Sequence, residues 1–282
     1  MPSEGDSLTV AVLGAGGRMG CAILRVLAET PGARVTAAVD RETDPRIGLD
    51  AGTIASLAGP LTGTVLGVPL SAALPAAGVA SVWIDFTSPS ATAAVAAAAA
   101  ARGACLVVGT TGVTPEGKQA LASAAERVPV VFAPNTSVGI TVLLRLVADA
   151  ARLLGPGYDI EVVETHHRMK RDAPSGTALR LAQALAEATG RDLERDARYA
   201  RQGDIGPRTK AEIGIQTLRG GDVVGDHTVF FLGDGDRIEI THRASTRDTF
   251  ARGAVRAALW TRGRPPGLYD MRDVLAPPEP GR

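Results

Sequence analysis

Short apolar runs alternate with helix-like segments through the first half of the chain. Leu8–Leu13 is apolar and leads into a glycine-rich turn, after which apolar residues recur at helical spacing from Ile23 to Ala28. The later apolar runs, each a predicted strand, are Val35–Val39, Val82–Phe86, Leu106–Val108 and Val130–Phe132. Helices are predicted up to Arg102 and over Pro115–Arg127. This alternation predicts an α/β fold, with a doubly wound parallel sheet covered by helices.

The pattern changes after a long apolar helix predicted over residues 140–154. Residues 160–164 have the composition of a strand, and a helical stripe follows at Ala178, Leu181, Ala182 and Leu185. Further on, two strand-like segments at 228–232 and 237–243 flank the sequence Gly-Asp-Gly-Asp, which is a hairpin signal. Fewer and longer strands of this kind predict a second domain of the α+β class.

The glycine-rich turn lies between a predicted strand and a predicted helix, and Asp40 lies 20 residues beyond Gly20 at the end of the next strand. In Rossmann-type units such a turn approaches a dinucleotide pyrophosphate and such an acid binds the ribose. An ordinary tight turn between strand and helix is the alternative. Strand, helix and acid together favour a cofactor site formed by Gly14, Ala15, Gly16, Gly17, Arg18, Met19, Asp40 and Arg41.

Small and polar residues also follow the other predicted strands. In a parallel sheet these strand ends share one edge, which is where doubly wound sheets bind ligands. Each segment alone is equally well explained as a turn. Their recurrence favours a shared cofactor crevice that adds Gly109, Thr110, Thr111, Ala133, Pro134, Asn135 and Thr136.

Composition and charge narrow the possible functions. Thirty basic residues balance thirty acidic ones, so no overall field attracts nucleic acid or an anionic membrane. The apolar run at 93–101 is shorter than the ~20 residues that span a bilayer, and residues 1–7 lack the features of a secretory signal. Cys21 and Cys105 lie in apolar segments without ligand spacing, so we expect reduced, packed thiols. We predict a soluble cytoplasmic protein without a metal site.

The strongest functional signal lies between residues 164 and 177. This run contains His166, His167, Lys170, Arg171, Ser175, Gly176 and Thr177. Neighbouring histidines on an extended chain point to opposite sides, so one can face a ligand. The lysine and arginine add positive charge, and the Ser-Gly-Thr segment is typical of a helix start whose free N–H groups favour an anion. A basic surface loop is the alternative, but the concentration of donors favours a carboxylate site.

Six segments carry a resemblance to a known family. They are residues 14–20, 109–112, 164–178, 225–228, 240–244 and 267–271. Through them nearly the whole chain resembles 4-hydroxy-tetrahydrodipicolinate reductase, also called dihydrodipicolinate reductase, of the diaminopimelate route to lysine. Residues 164–178 are specific to that family, whereas the glycine turn is shared by Rossmann enzymes in general.

The resemblance implies that NADH or NADPH binds to the first domain and reduces a cyclic dicarboxylate held by the second. It implies a dinucleotide-binding domain of residues 1–136 and 247–282, a substrate-binding and oligomerisation domain of residues 137–246, and a homotetramer. It places the acid/base histidine at His166, a substrate contact at His167 and the catalytic lysine at Lys170. Gly176 and Thr177 match the turn that holds a substrate carboxylate, and adjacent Ser175 belongs to the same helix start.

Two positions depart from the family pattern. Thr136 replaces a bulkier apolar residue that many members have near the nicotinamide, and Thr141 replaces an asparagine. We expect these changes to affect packing and cofactor preference rather than the reaction. His227 and His242 lie in predicted strands, and we expect structural hydrogen bonds for them.

Two other functions compete with this one. The first is a related reductase or amino-acid dehydrogenase acting on another small imine or carbonyl acid, which the spacing of His166, His167 and Lys170 disfavours. The second is a non-catalytic dinucleotide sensor, which the joint presence of His166, Lys170 and Thr177 disfavours. Turnover of a dipicolinate-type substrate distinguishes all three functions.

Overall fold

The computed structural model describes residues 7–57, 65–76 and 78–277. The strands are β1 (Leu8–Leu13), β2 (Ala33–Val39), β3 (Leu70–Ser71), β4 (Val82–Asp85), β5 (Cys105–Val108), β6 (Pro129–Phe132), β7 (Asp159–His166), β8 (Ala197–Arg198), β9 (Ile213–Arg219), β10 (Gly225–Leu232), β11 (Arg237–Ala244) and β12 (Gly267–Tyr269). The α-helices are α1 (Arg18–Ala28), α2 (Ala51–Leu57), α3 (Thr92–Ala101), α4 (Pro115–Ala125), α5 (Val138–Leu154), α6 (Gly176–Thr189), α7 (Leu193–Asp196), α8 (Asp248–Trp260) and α9 (Met271–Leu275).

The chain forms two compact units. The first comprises the described residues up to Val138 and those from Arg247 onward, and the second comprises Gly139–Thr246. Within the described residues, no helix is long and apolar enough to cross a membrane.

The first unit is built on a seven-stranded sheet in the order β12-β6-β5-β4-β1-β2-β3. Every strand pair in it is parallel, which confirms the predicted doubly wound sheet. Both faces are covered, because one apolar cluster joins the sheet to α1 and α8 and another joins it to α3 and α4. Burial on both faces explains the continuous apolar runs of the central strands, such as Val82–Ile84 in β4.

The second unit contains a five-stranded mixed sheet in the order β11-β10-β7-β9-β8. Its β10–β11 hairpin turns at residues 233–236, as predicted, and Gly235 has a φ of +96° that a side chain would disfavour. Helices α5 and α6 pack on one face of this sheet through Val147, Leu181, Val162 and Phe231. The second unit therefore has the predicted α+β architecture.

Candidate active site

Strand β7 carries two polar residues on its buried face. Its burial alternates along the strand, so Ile160, Val162, Glu164 and His166 all point to the side of the sheet that packs on the helices. Ile160 and Val162 belong to the apolar core, whereas Glu164 and His166 lie at the end of the strand with 0% and 8% of their surface exposed. The predicted strand thus delivers His166 to a largely enclosed position.

Glu164 is surrounded by hydrogen-bond donors. Its Oε1 accepts bonds from the backbone N of Ser175 (2.9 Å) and Oγ1 of Thr217 (3.2 Å). The Arg219 guanidinium donates from both terminal nitrogens, at 2.8 and 2.9 Å. Burial alone would raise the pKa of Glu164, but the bonds from Arg219, His166 and Ser175 outweigh it and lower the pKa to about 2. Glu164 is therefore ionised.

The carboxylate of Glu164 determines how His166 is oriented. His166 Nδ1 lies 2.5 Å from Glu164 Oε2. Because an ionised carboxylate only accepts hydrogen bonds, Nδ1 must be the donor. In neutral His166 the proton is consequently on Nδ1 and the lone pair is on Nε2. A Cβ atom at Gly225 would lie 3.0 Å from Nε2, so glycine at this position leaves the space beside this nitrogen free of a side chain.

The protonation of His166 depends on opposing effects. Burial lowers the pKa of His166 below its ordinary value, and the charges of Lys170 and Arg219 lower it further. The hydrogen bond and charge of Glu164 raise it, without fully compensating. At neutral pH the resting imidazole is therefore mainly neutral, and it can take up a proton on Nε2.

The turn after β7 supplies the cationic group of the predicted site. Lys170 Nζ forms a 2.9 Å ion pair with Asp172, and the lysine side chain is 20% exposed. The backbone of His167 accepts a bond from Lys170 N and donates one to Val223 O, at 3.0 and 2.7 Å. His167 is half-buried, unlike His166. The turn is thus held by one backbone bond within itself and one to Val223, while its lysine reaches partly into solvent.

The predicted helix start is present at α6. Ser175 is the N-cap, and its Oγ accepts a bond from Ala178 N at 3.1 Å. The Ser175 side chain is almost fully buried and also contacts His227 Nε2 at 3.2 Å. Gly176 is exposed, and a Cβ there would meet no other atom within 4 Å. The backbone at Gly176 therefore has room for an anion at the start of a helix.

His227 lies beside His166. The two rings form an edge contact with centroids 5.2 Å apart. Burial, followed by the charge of His166, lowers the pKa of His227 to about 3, so it is neutral. Its bond to Ser175 agrees with the expected structural role, but Nδ1 of His227 and Nδ1 of His242 have no partner among the described residues.

The glycine turn of the first unit has the geometry of a phosphate-binding turn. Gly14 has a φ of +77°, and a Cβ there would lie 2.6 Å from the backbone oxygen of Phe86. Helix α1 begins without a side-chain cap or an acidic residue in its first turn, which leaves its N–H groups available to an anion. Asp40 Oδ2 accepts a bond from Gly16 N at 2.8 Å, so the predicted acid adjoins the turn. A dinucleotide fits these residues.

The other predicted cofactor residues follow β5 and β6 at the same sheet edge as the glycine turn. Gly109 packs against the Phe86 ring so closely that a Cβ would overlap it. Thr110 donates to buried Asp85, whose pKa is raised by burial. Thr136 is buried and donates to the backbone oxygen of Phe250 at 2.7 Å. The departure from the family pattern at Thr136 is thus accommodated by a hydrogen bond inside the unit.

The remaining predicted residues occupy varied positions. Thr111, Pro134, Arg18 and Arg41 are exposed, whereas Ala15 and Ala133 are buried. Asn135 Oδ1 accepts a bond from Ser137 N at 2.9 Å. Both cysteines are free thiols, as expected. Within the parts of the chain that the structure describes, no cluster of side chains suited to a metal ion is found.

Several residues around His166 were not predicted from the sequence. Glu164 is one of them, although its position two residues before His166 places both on one strand face. Thr217 and Arg219 come from β9, where nothing in the local sequence distinguishes them, and Gly225 begins β10 in a segment that carries the family resemblance but was given no role of its own. Only the pairing of β7 with these strands brings them to Glu164.

Both parts of the chain match models of a known protein family. The family model described as dihydrodipicolinate reductase, N-terminus, matches residues 8–136, and the one described as dihydrodipicolinate reductase, C-terminus, matches residues 139–275. A 4-hydroxy-tetrahydrodipicolinate reductase of Anaeromyxobacter dehalogenans is 55% identical over 94% of this chain and 97% of its own length. One from Myxococcus xanthus is 55% identical over 95% of this chain and 97% of its own.

A solved structure supports the fold independently. A dihydrodipicolinate reductase from Paenisporosarcina sp. TG-14 with dipicolinate bound has a TM-score of 0.74 to this chain. The two are 23% identical, and the match covers 96% of this chain and 100% of that one. Two matching family models, two relatives above half identity and a shared fold agree with the resemblance in the sequence, and the chain therefore belongs to the dihydrodipicolinate reductase family.

Proposed function

We propose that this protein catalyses the reduction of 4-hydroxy-tetrahydrodipicolinate to tetrahydrodipicolinate, a step in the diaminopimelate route to lysine. The observation that carries the proposal is the buried Glu164–His166 pair, in which Nδ1 is bonded to Glu164 and Nε2 lies next to Gly225. It lies in a chain 55% identical to reductases of that name. We also propose that the protein is cytoplasmic and forms a homotetramer; light scattering, which measures the mass of the assembly, tests the homotetramer.

A reduced nicotinamide cofactor, NADH or NADPH, supplies the hydride when it is bound. The residues that would hold it are those of the glycine turn, from Gly14 to Met19, together with Asp40 and Arg41. The uncapped start of α1 suits the pyrophosphate, and the residues at 109–111 and 133–136 lie at the same sheet edge.

The substrate carries two carboxylates, which are costly to bury without partners. We assign their binding to Lys170, to His167 and to the start of α6 at Ser175, Gly176 and Thr177. The Oγ of Ser175 already bonds to Ala178 N and to His227 Nε2, so we assign Ser175 a role through its place at the helix start. The open backbone at Gly176 favours close approach of a carboxylate to the helix start.

The proton that completes the reduction is assigned to His166. Hydride addition to a ring carbon brings an electron pair with it, and the resulting negative charge or enamine must take up a proton. A protonated His166 donates this proton from Nε2. Glu164 accepts the hydrogen bond from Nδ1–H, so the Nδ1 proton stays on the ring, and its negative charge stabilises the imidazolium. Lys170 supplies positive charge beside the reacting ring and can assist the transfer.

Turnover is tested by following the loss of reduced-nicotinamide absorbance, with substrate freshly made from pyruvate and aspartate semialdehyde. We expect His166→Ala and Lys170→Ala each to lower kcat by ~10²-fold or more. Cofactor affinity, measured by fluorescence titration, should stay nearly unchanged, because both residues lie in the second unit.

The same assay separates the competing functions. Turnover on other imine or carbonyl acids, but not on this substrate, would indicate a different reductase. Cofactor binding without turnover on any of them would indicate a sensor. Wild-type turnover in either variant would remove that residue from the proposed chemistry.

A further inference from the structure

The ion pair of Asp44 and Arg46 lies against the glycine turn, and neither residue has been assigned a role above. A Cβ placed on Gly16 would lie 2.5 Å from a terminal nitrogen of Arg46, 3.1 Å from its Cζ and 3.0 Å from Asp44 Oδ2. The guanidinium of Arg46 therefore occupies the space where any other residue at position 16 would have its side chain. Because residue 16 is a glycine, the cationic guanidinium of Arg46 can lie directly against the predicted dinucleotide site.

Asp44 holds Arg46 in this position. Arg46 Nε lies 2.9 Å from Asp44 Oδ1 and its terminal nitrogen 2.6 Å from Oδ2, a two-point contact. Arg46 N also donates to Oδ1 at 2.9 Å. The Asp44 side chain is 4% exposed and that of Arg46 is 36% exposed. The buried Asp44 thus fixes one edge of the Arg46 guanidinium. The opposite edge of the guanidinium remains accessible to a ligand.

Both oxygens of the neighbouring Asp40 carboxylate already accept hydrogen bonds. Asp40 Oδ2 accepts from Gly16 N and Oδ1 accepts from Arg41 N, both at 2.8 Å. In Rossmann-type sites this acid faces the adenosine ribose, and an arginine nearby accommodates a 2′-phosphate. Here two arginines, Arg41 and Arg46, follow the acid within one short loop. The loop also carries Glu42 and Asp44, so a 2′-phosphate would meet no excess of positive charge there; what distinguishes Arg46 is that a buried carboxylate orients its guanidinium.

We propose that Arg46, fixed by Asp44, is a second ligand for the 2′-phosphate of NADPH and makes the chain favour NADPH over NADH. The proposal rests on the proposed function only in that a nicotinamide dinucleotide is the ligand of the glycine turn. Guanidinium groups bind phosphate through paired N–H donors, and a preoriented one loses little side-chain freedom on binding.

The first experiment measures binding without turnover. Adenosine 2′,5′-bisphosphate and adenosine 5′-monophosphate, which differ only in the 2′-phosphate, are titrated calorimetrically into wild-type protein and Arg46→Leu. Because a charged hydrogen bond is lost, we expect Arg46→Leu to weaken the bisphosphate ~10-fold or more and the monophosphate less than ~2-fold. Arg46→Lys, which keeps the charge but not the two-point contact with Asp44, should show an intermediate loss.

A matched control is Arg34→Leu. Arg34 is an exposed arginine near the start of β2, at the opposite end of that strand from Asp40. The Arg34→Leu variant should bind both adenosine ligands with unchanged affinity. Thermal unfolding of all three variants verifies that they remain folded.

The second experiment compares kcat/KM for NADPH and NADH. Arg46→Leu should lower the NADPH-to-NADH ratio by ~10-fold, in step with the titrations. Equal losses for the two cofactors would place Arg46 on the shared pyrophosphate and overturn the proposal, as would an unchanged bisphosphate affinity. If the wild-type protein did not reduce the proposed substrate, the adenosine titrations would still decide the role of Arg46.

Discussion

At the scale of single residues, the chemistry of His166 is governed by a neighbour two positions away. Glu164 has no exposed surface, and it accepts bonds from Arg219, Thr217 and the backbone of Ser175 as well as from His166. Each of these bonds stabilises the ionised carboxylate. Glu164 acts through His166 and is thus a positioning residue.

This role predicts how Glu164→Gln changes the pH profile. Since only protonated His166 donates a proton, kcat/KM should fall as the pH rises through the pKa of His166. Glu164 raises that pKa, so its neutralisation should lower it and move the falling limb to lower pH. We expect a loss of ~10-fold or more in turnover at neutral pH.

The control for that experiment is Glu187→Gln. Glu187 is an exposed carboxylate on α6. It should leave the position of the falling limb unchanged. An identical limb in Glu164→Gln and the wild type would mean that another group, with Lys170 the first candidate, donates the proton.

Gly225→Ala tests whether the space beside Nε2 of His166 has to stay free of a side chain. The added Cβ would lie 3.0 Å from Nε2, so either the ring or the strand must shift. We expect kcat to fall by ~10-fold or more, because small displacements of a catalytic group are costly. Gly157→Ala is the matched control, since a Cβ there meets nothing within 4 Å. If both variants had wild-type kcat, Nε2 would not be the reacting nitrogen.

At the scale of elements, the start of α6 joins helix stability to the site. Ser175→Ala removes the cap of Ala178 N and the partner of buried His227 Nε2. We expect a loss of about 1–3 kcal/mol in the free energy of unfolding, measured by urea denaturation. Ser175→Thr keeps the hydroxyl and should lose less. Equal stability of the alanine variant and the wild type would show that neither bond contributes.

Elements with a clear apolar pattern could be predicted from the sequence, and those without one could not. The central strands β4, β5 and β6 are almost fully buried, so their apolar runs stand out. In β9 only the first three residues are buried, and its polar end carries Thr217 and Arg219. Because β9 follows a long irregular segment and lacks a full pattern, its pairing with β7 was not predictable, and with it half of the Glu164 environment was missed.

At the scale of the whole molecule, hydride transfer requires that cofactor and substrate be bound at the same time. The proposed cofactor residues belong to the first unit and the proposed substrate residues to the second. We therefore expect the flat analogue pyridine-2,6-dicarboxylate to bind more tightly when reduced cofactor is present. Coupling of ~1–3 kcal/mol would be ordinary, and thermodynamic linkage requires the cofactor to gain the same factor.

Calorimetric titrations of each ligand, with and without the other, measure this coupling. Thr177→Val should weaken the analogue while leaving cofactor affinity in its absence nearly unchanged, because it removes a hydroxyl from the proposed substrate site alone. Identical affinities in both orders of addition would show that the two sites are independent.

The pairing of β12 with β6 has a consequence for how the protein is made. Gly267 lies opposite Pro129, and the whole second unit comes between them in the sequence. On the ribosome, β6 therefore emerges long before the strand that covers its edge. The second unit is fully synthesised while the first still has an open sheet edge and lacks α8. The edge of β6 thus stays open to pairing with other chains until β12 is released, whereas all strands of the second unit's sheet are available earlier.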